Sequence, residues 1–208
     1  MGEETVSRLP GVRFGVSRRS IDRRGSFLEL WRASAFGPIE AGNAGLVTDP
    51  GADVRVAPEP PVRFVQANLS TSSAGVLRGL HLHRRQLDHW IVAGGRAFVA
   101  LVDVRPLLAD PDARPQVDTR ELGPDEWVDI PAGVAHGFLA LEPLELVYLV
   151  TNEYDGTDEL GFAWDDRSAA VPWPTLPDTP DGRPILSDRD LANPSLAELV
   201  VRLRHGRS

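Results

Sequence analysis

Apolar residues recur along this chain in short runs, many of which alternate with polar residues. The runs are rich in Val, Phe, Trp and Leu and are bounded by Gly, Pro, Asp and Ser, which is the pattern of β-strands joined by turns. On this basis we predict eleven strands, at 12–16, 25–32, 62–69, 74–82, 88–94, 96–104, 116–122, 126–130, 136–140, 144–151 and 161–163.

Glycine and proline mark the connections between these runs. The sequence Ala-Gly-Gly-Arg at 93–96 predicts a tight hairpin turn. Residues 123–125 and 131–133 predict turns in which Gly supplies an unusual φ and Pro fixes the corner. Such short connections are typical of antiparallel strands.

Three further segments do not follow the strand pattern. Segments 38–61 and 171–183 are rich in proline and predict loops, the second of them wrapped on the surface of the sheet structure. The stretch 196–203 predicts a short amphipathic helix with Ser195 as its N-cap.

Many short strands at regular spacing favour a sandwich or a closed barrel, so the predicted class is all-β. A chain of 208 residues suits one such domain. We therefore predict a single domain over 1–208, with its core at about 12–192 and a C-terminal helix and tail at 193–208.

Composition and charge remove several classes of function. The chain has no cysteine, which excludes disulfides and thiolate chemistry and fits a cytoplasmic location. All 22 basic residues are arginine, which excludes a Schiff-base lysine and a Walker-type phosphate loop. The net charge of −8 argues against nucleic acid as a partner. No apolar run reaches 18 residues, so we expect no membrane partner.

Two spaced motifs carry the candidate chemistry. The first reads G-x5-H-x-H-x4-D-x6-G from Gly75 to Gly95 and contains His81, His83 and Asp88; the second is Pro-Ala-Gly-Val-Ala-His, ending at His136. His81 and His83 face the same side of a strand because they are two residues apart. His136 comes from another strand, so the set converges only if the sheet wraps around one interior.

These motifs resemble the paired motifs of the cupin superfamily, with Asp88 where Glu is usual. The resemblance implies a cupin-type jelly-roll barrel with a short C-terminal helix. His81, His83, Asp88 and His136 together form a plausible shell for a divalent transition metal. The alternative is that these polar residues line a sugar pocket without metal.

Further segments resemble the dTDP-4-dehydrorhamnose 3,5-epimerase family in particular, and they stay in the family's order from about residue 12 to residue 192. They are Asp-Arg-Arg-Gly-Ser-Phe-Leu-Glu at 22–29, Phe-Val-Gln-Ala-Asn-Leu-Ser at 64–70, Gly-Val-Leu-Arg-Gly-Leu-His at 75–81, Val-Asp-Val-Arg at 102–105, the 131–139 segment, Tyr148 with Tyr154, Trp-Asp-Asp at 164–166 and Leu-Ser-Asp-Arg-Asp at 186–190.

The resemblance implies catalytic roles for three residues. His81 is expected to be the base that removes the proton next to the C4 ketone of a dTDP-linked keto-sugar. Asp190 is expected to hydrogen-bond the other ring nitrogen, and Tyr148 to return a proton on the opposite face. Such a reaction requires no cofactor.

The resemblance also implies a substrate-binding set. Arg24, Gln66, Asn68 and Arg78 are expected to hold the diphosphate, for which arginine forks are well suited. The remaining residues are expected near the base, sugar or nucleotide: Phe27, Glu29, His136, Tyr154 and Arg189. The family's homodimers exchange N-terminal strands, so Arg24 would serve a neighbouring site.

Two positions depart from the family's pattern. His83 stands where Gln or a similar polar residue is usual, and Asp88 stands where the family usually has a lysine that helps to stabilise the enolate oxygen. An anion therefore replaces a cation near the developing charge, which raises the barrier unless something offsets it. A bound metal acting as a Lewis acid would offset it; alternatively, the protein no longer epimerises.

Three functions remain open from the sequence. The first is a nucleotide-sugar epimerase acting at C3, C5 or both. The second is a metal-dependent cupin enzyme, an isomerase or dioxygenase acting on a small substrate. The third is a non-catalytic cupin that binds a sugar nucleotide.

Overall fold

The computed structural model describes residues 4–36, 62–110, 112–176 and 179–205. Its strands are β1 (Glu4–Val6), β2 (Arg13–Val16), β3 (Arg19–Asp22), β4 (Gly25–Leu28), β5 (Gln66–Ser72), β6 (Leu77–Leu82), β7 (Asp88–Gly94), β8 (Ala97–Asp103), β9 (Gln116–Leu122), β10 (Glu126–Ile130), β11 (Val134–Ala140), β12 (Leu144–Val150) and β13 (Leu160–Gly161). Its helices are α1 (Arg105–Ala109), α2 (Asp188–Leu191) and α3 (Leu196–His205), and 3₁₀ turns lie at Ala33–Ala35 and Pro180–Gly182.

The strands form two larger sheets and one hairpin. The order is β1-β2-β10-β7-β12-β5 in the six-stranded sheet and β13-β6-β11-β8-β9 in the five-stranded sheet, while β3 pairs with β4 alone. Neighbouring strands in all three are antiparallel. This confirms the predicted all-β, cupin-type jelly roll with a C-terminal helix, although the two sheets face each other and do not join into one closed ladder.

The main core lies between the two sheets. Phe14 and Ile130 of the six-stranded sheet pack in one cluster with Val99, Leu101 and Phe138 of the five-stranded sheet. Burial of these faces is the principal term that holds the sheets together. The apolar interior closes one part of the space between the sheets and leaves the remainder for polar side chains.

A second apolar cluster covers the outer face of the five-stranded sheet. Leu199 and Leu203 of α3 pack there with Leu80, Val102 and Ala135. Strands such as β11, which is buried at every residue, therefore face apolar surroundings on both sides. This explains why their sequences are nearly continuous apolar runs and do not alternate.

Helix α3 begins with reciprocal hydrogen bonds. The Glu198 backbone N–H donates to Ser195 Oγ at 3.3 Å, and the Ser195 backbone N–H donates to Glu198 Oε2 at 2.8 Å. The Leu196 N–H donates to Asp166 Oδ2 at 2.9 Å. These bonds satisfy helix-terminal donors as a capping box does. The predicted cap at Ser195 has this contact, and the helix runs two residues beyond the predicted end at 203.

Two glycines bring β6 and β11 unusually close together. A Cβ on Gly137 would lie 2.8 Å from the Arg78 carbonyl oxygen, and a Cβ on Gly79 would lie 2.6 Å from the Gly137 Cα. In the same pair of strands, His81 is the cross-strand neighbour of His136. The two glycines thus set the backbone separation at the point where both histidines project.

The predicted strands 88–94, 116–122 and 126–130 match β7, β9 and β10 exactly. Several others were wrong at their ends: the strand predicted at 25–32 ends at Leu28, the one at 62–69 begins at Gln66, and the one at 74–82 begins at Leu77. Tertiary contacts set these ends, as when the Leu77 N–H donates to the Ile185 carbonyl.

Four elements were missed by the sequence patterns. Strands β1 and β3 are mostly exposed and lack an apolar face, and helices α1 and α2 are only five and four residues long.

At 123–125 the left-handed residue is Asp125, with φ 73°, where a glycine was expected. The predicted loop at 38–61 lies outside the described residues. No helix in the described ranges is long and apolar enough to cross a membrane.

Candidate active site

A polar cavity of about 470 Å³ lies between the two sheets. One wall is the six-stranded sheet, where Asn68, Tyr148 and Trp90 lie side by side on β5, β12 and β7. The opposite wall is the five-stranded sheet, where His81 and His136 are cross-strand neighbours on β6 and β11. The cavity therefore has different chemical groups on its two walls.

His81 is held by a carboxylate that lies 109 residues later in the chain. Its Nε2 is 2.7 Å from Asp190 Oδ1, and Asp190 is buried in α2. The Ser187 side chain caps that helix by accepting from the Asp190 N–H at 3.1 Å. Burial alone would raise the pKa of Asp190, but hydrogen bonds from His81, Ser187 and the Gly79 N–H lower it overall.

Tyr148 faces the cavity from the other sheet and is partly buried. Burial raises the pKa of its phenol, and the nearby Asp88 carboxylate raises it further, while Arg78 acts in the opposite direction. The phenol is therefore protonated at neutral pH. A protonated hydroxyl on this wall is a potential proton donor toward a molecule in the cavity.

His83, Asp88 and His136 form a compact group at the cavity, with one ligand atom from each within 4.8 Å of the others. His136 Nε2 is 3.5 Å from Asp88 Oδ2. Burial lowers the pKa of His136 to about 4 against the opposing effect of Asp88. The fourth residue of the predicted metal set, His81, is not part of this group, and its Nε2 lies 2.7 Å from Asp190 Oδ1.

Most of the predicted substrate-binding residues line the same cavity. They are Gln66, Asn68, Arg78, His136, Tyr154 and Arg189. Gln66 donates to Asn68 Oδ1 at 2.9 Å and accepts from the Tyr154 N–H at 2.9 Å. Arg78 donates to Ser72 Oγ at 3.1 Å, and Arg189 is paired with Glu159 at 2.5 Å.

Three predicted binding residues do not line the cavity. Arg24 and Phe27 belong to the β3–β4 hairpin, and Glu29 follows directly after it. Phe27 is 70 % exposed, Arg24 is paired with Asp22 at 2.6 Å, and Glu29 is paired with Arg32 at 2.6 Å. The hairpin pairs as a strand with neither large sheet, and Arg19 ties it to Asp125, before β10, at 2.9 Å. This chain's own strands therefore do not bring these side chains to its cavity.

Several cavity residues were missed by the sequence reasoning. They are Ser70, Gln86, Trp90, Phe138, Leu146, Val150, Asn152 and Glu159. Trp90 had a usable signal, since it is two residues after Asp88 and so projects from the same side of β7. Glu159 had none, because a loop places it and its partner Arg189 is 30 residues away.

His89 points away from the cavity, as expected of a residue between Asp88 and Trp90 on one strand. Its Nδ1 is 2.6 Å from Asp129 Oδ1, and its ring packs against Phe36 and Trp127. This buried pair stabilises the outer face of the six-stranded sheet and takes no part in the cavity.

Comparison with known proteins gives consistent matches. The family model described as dTDP-4-dehydrorhamnose 3,5-epimerase matches residues 7–198. The Escherichia coli dTDP-4-dehydrorhamnose 3,5-epimerase is 35% identical over 154 residues, which are 67% of this chain and 75% of that protein. The Bacillus subtilis spore coat polysaccharide biosynthesis protein SpsL is 36% identical over 118 residues, 54% of this chain and 76% of that protein.

A solved structure shares both the fold and its extent. The RmlC 3,5-epimerase of Legionella pneumophila, in complex with dTDP-4-keto-L-rhamnose, superposes with a TM-score of 0.73 and 28% identity. The match covers 95% of this chain and 96% of that chain.

The jelly roll with a polar cavity between its sheets thus defines an isomerase-class protein of the RmlC type. More particularly, the chain belongs to the dTDP-4-dehydrorhamnose 3,5-epimerase family, and its function is that of a nucleotide-sugar epimerase. The resemblance predicted from the sequence motifs is therefore confirmed.

Proposed function

We propose that this protein inverts a carbon next to the C4 ketone, C3 or C5 or both, of a dTDP-linked 4-keto-6-deoxyhexose. The observation that carries the proposal is the placement of the His81–Asp190 pair and Tyr148 on opposite walls of one cavity. Inversion needs a base on one face of the sugar and an acid on the other, and the two sheets supply these groups from opposite sides.

His81 is the proposed base. Because the Asp190 carboxylate accepts a hydrogen bond from Nε2–H, the lone pair of the neutral ring is on Nδ1. Nδ1 takes the proton from the carbon next to the ketone, and the electron pair of the broken C–H bond moves onto the C4 oxygen as an enolate. Asp190 then stabilises the imidazolium that forms, as a buried carboxylate does beside a catalytic histidine.

Tyr148 is the proposed acid. Its phenol is protonated at neutral pH, since burial and Asp88 both raise its pKa. It gives its proton to the same carbon from the opposite face, and the enolate electrons return to form the new C–H bond. Solvent then returns a proton to Tyr148 and takes the extra proton from His81, which resets both groups. The cycle transfers only protons, so it requires no redox cofactor.

The remaining cavity residues are proposed to bind the substrate. The Legionella epimerase structure contains dTDP-4-keto-L-rhamnose, and a cavity of about 470 Å³ is within the range of small-ligand pockets. Gln66, Asn68 and Arg78 are proposed to hold the diphosphate. His136, Tyr154 and Arg189 are proposed to contact the sugar or nucleotide.

A homodimer is proposed to complete the site. The β3–β4 hairpin exposes Ile21 and Phe27, at 79 % and 70 %, and carries Arg24. Such apolar side chains on a separate hairpin suit a surface that a second copy covers. Arg24, Phe27 and Glu29 would then serve the neighbouring cavity, and sedimentation should show a dimer that Phe27→Asp weakens.

The cytoplasmic location stays a prediction from the sequence.

The reaction can be tested by incubating the protein with dTDP-4-keto-6-deoxyglucose in heavy water and following the sugar by NMR. We expect deuterium at C3 or C5, and a roughly 10²- to 10⁴-fold slower exchange in His81→Asn. The matched control is His205→Asn, an exposed histidine on α3, which should exchange at the original rate. Nucleotide-sugar binding without any exchange would contradict the proposal and favour the non-catalytic alternative.

A further inference from the structure

Three hydrogen-bond acceptors converge at the cavity between the walls. Asp88 and His136 are each only 4 % exposed. His83 lies beside them, and the centroid of its ring is 5.4 Å from the centroid of the His136 ring. One ligand atom from each residue lies within 4.8 Å of the other two. The question is which atoms of these groups face one another.

Backbone carbonyls determine which ring nitrogen of His83 and of His136 carries the proton. His83 Nδ1 is 2.8 Å from the Asp158 carbonyl oxygen, and His136 Nδ1 is 3.1 Å from the Val134 carbonyl oxygen. A carbonyl only accepts, so each Nδ1 carries the proton and donates. In the neutral rings each Nε2 therefore presents a lone pair.

The three side chains therefore face one another as hydrogen-bond acceptors. His136 Nε2, with its lone pair, is 3.5 Å from Asp88 Oδ2. A ring nitrogen of His83 lies in the same group, and we take it as Nε2 because Nδ1 is engaged by the Asp158 carbonyl. Two imidazole lone pairs and a carboxylate cannot satisfy one another, since none of them donates. A buried set of this kind is stabilised when a cation sits among its members.

The carboxylate is also fixed in place. Asp88 Oδ1 accepts from Gln86 Nε2 at 2.7 Å, and Asp88 Oδ2 accepts from Trp90 Nε1 at 3.2 Å. Outer hydrogen bonds of this kind, on each histidine and on the carboxylate, are the usual supports of metal ligands. Each of the three residues thus has both an inward-facing ligand atom and an outer partner that orients it.

The distance between the His136 and Asp88 ligand atoms agrees with a single small ion. Ligand atoms at about 2.1 Å from a tetrahedral ion lie roughly 3.4 Å apart, close to the 3.5 Å between His136 Nε2 and Asp88 Oδ2. We propose that His83, Asp88 and His136 bind one divalent transition-metal ion that faces the cavity with an open coordination position. Imidazole and carboxylate ligands suit such ions.

His81 stands outside this site, which removes a conflict between two roles. A histidine cannot easily bind a metal and abstract a proton through one nitrogen. Because Asp190 engages His81 and the metal site uses the other two histidines, both sets operate in one cavity. An ion here would offset the Asp88 charge near the ketone oxygen, a role that rests on the proposed function.

The test is to titrate chelator-treated protein with Co²⁺ and to follow visible absorption, then to displace it with Zn²⁺. We expect one ion per chain and at least about 100-fold weaker Co²⁺ binding in His83→Gln and in Asp88→Asn, beyond the effect of losing an outer partner. His83 is partly exposed, so its replacement leaves the core intact. His205→Gln is the matched control and should bind Co²⁺ normally.

Further outcomes separate the site from the reaction. We expect dTDP-4-keto-6-deoxyglucose to change the Co²⁺ spectrum, because the open position faces the cavity. Sub-stoichiometric binding, binding unchanged in both ligand variants, or a spectrum that the sugar nucleotide leaves unaltered would each overturn the proposal. Deuterium exchange is measured separately, so failure of the epimerase reaction does not change the metal result.

Discussion

Asp190 links a distant helix to the reacting wall of the cavity. Its carboxylate is buried, accepts from His81 Nε2 at 2.7 Å and has a lowered pKa, so it is an anion at neutral pH. A buried anion at this position orients the imidazole, fixes its tautomer and stabilises its protonated form. In the proposed mechanism, Asp190 is therefore a positioning residue that acts through His81.

Replacing this anion tests that role. We expect Asp190→Asn to lower kcat by roughly 10²- to 10⁴-fold with a smaller change in KM, because the amide does not stabilise the imidazolium. Asp188→Asn, on the same helix but exposed, is the control and should retain full kcat. Equal loss in both variants would indicate damage to α2 and would contradict the assignment.

At the residue level, the sequence predicted which side chains belong together better than it predicted their pairing. The His-x-His spacing and the second motif brought His81, His83, Asp88 and His136 to one cavity, as expected. The division of this set depends on Asp190, and a contact across 109 residues leaves no trace in local spacing. The placement of Glu159, and that of the hairpin residues Arg24 and Phe27, likewise could not be predicted from local spacing.

Strands β6 and β11 form the element on which both wall histidines depend. We expect Gly137→Ala to destabilise the fold by about 1–3 kcal/mol, because its Cβ would meet the Arg78 carbonyl oxygen at 2.8 Å and push the strands apart. The turnover rate should fall even where the protein remains folded, because His81 and His136 are displaced together with their strands.

Urea unfolding and turnover measure these two effects. Gly123→Ala is the control, because its Cβ would meet nothing closer than Glu126 Oε2 at 3.5 Å; its stability should change by less than about 0.5 kcal/mol. If Gly137→Ala were as stable and as active as Gly123→Ala, the close approach of β6 and β11 would not be needed for stability or activity.

The start of α3 has a pH-dependent contribution. Burial raises the pKa of Asp166, but hydrogen bonds from Ser168, Leu196 and Ala169 lower it overall. A carboxyl whose pKa is lower in the folded state stabilises the fold above its unfolded pKa, about 4, and loses that effect as pH falls through the folded value.

We therefore expect Asp166→Asn to cost about 1 kcal/mol of unfolding free energy at pH 7, as loss of a helix cap does, and the difference from the wild type to shrink below about pH 4. Chemical unfolding at pH 7 and pH 3 checks this. The exposed neighbour Asp165→Asn should match the wild type at both values. A difference that persisted unchanged at pH 3 would refute the electrostatic explanation.

Elements were predictable where local pattern and tertiary contacts agree. Strands β7, β9 and β10 each have Gly or Pro turn residues at one end or both, and they were predicted exactly. Strands β1 and β3 have exposed residues and exist because they pair with β2 and β4, so no apolar periodicity marks them. Helix α2 is one turn long, which is too short for a helical repeat to show.

At the scale of the whole molecule, the jelly roll places two sheets face to face and supplies the cavity with a different group from each. His81 comes from the five-stranded sheet and Tyr148 from the six-stranded sheet. Neither sheet alone has both a base and an acid of this kind in the proposed reaction. The fold class followed from strand spacing, whereas the two-walled site became visible only once the sheet orders were known.

The central claim is that base and acid act from opposite sheets, and Tyr148→Phe tests it most directly. The measurement compares deuterium exchange with formation of inverted sugar, for the wild type and the variant, with dTDP-4-keto-6-deoxyglucose in heavy water. We predict that Tyr148→Phe continues to exchange through His81 while inversion falls by roughly 10²-fold or more. Exchange and inversion that both persist, or that are lost together in a folded protein that still binds the nucleotide, would contradict the account.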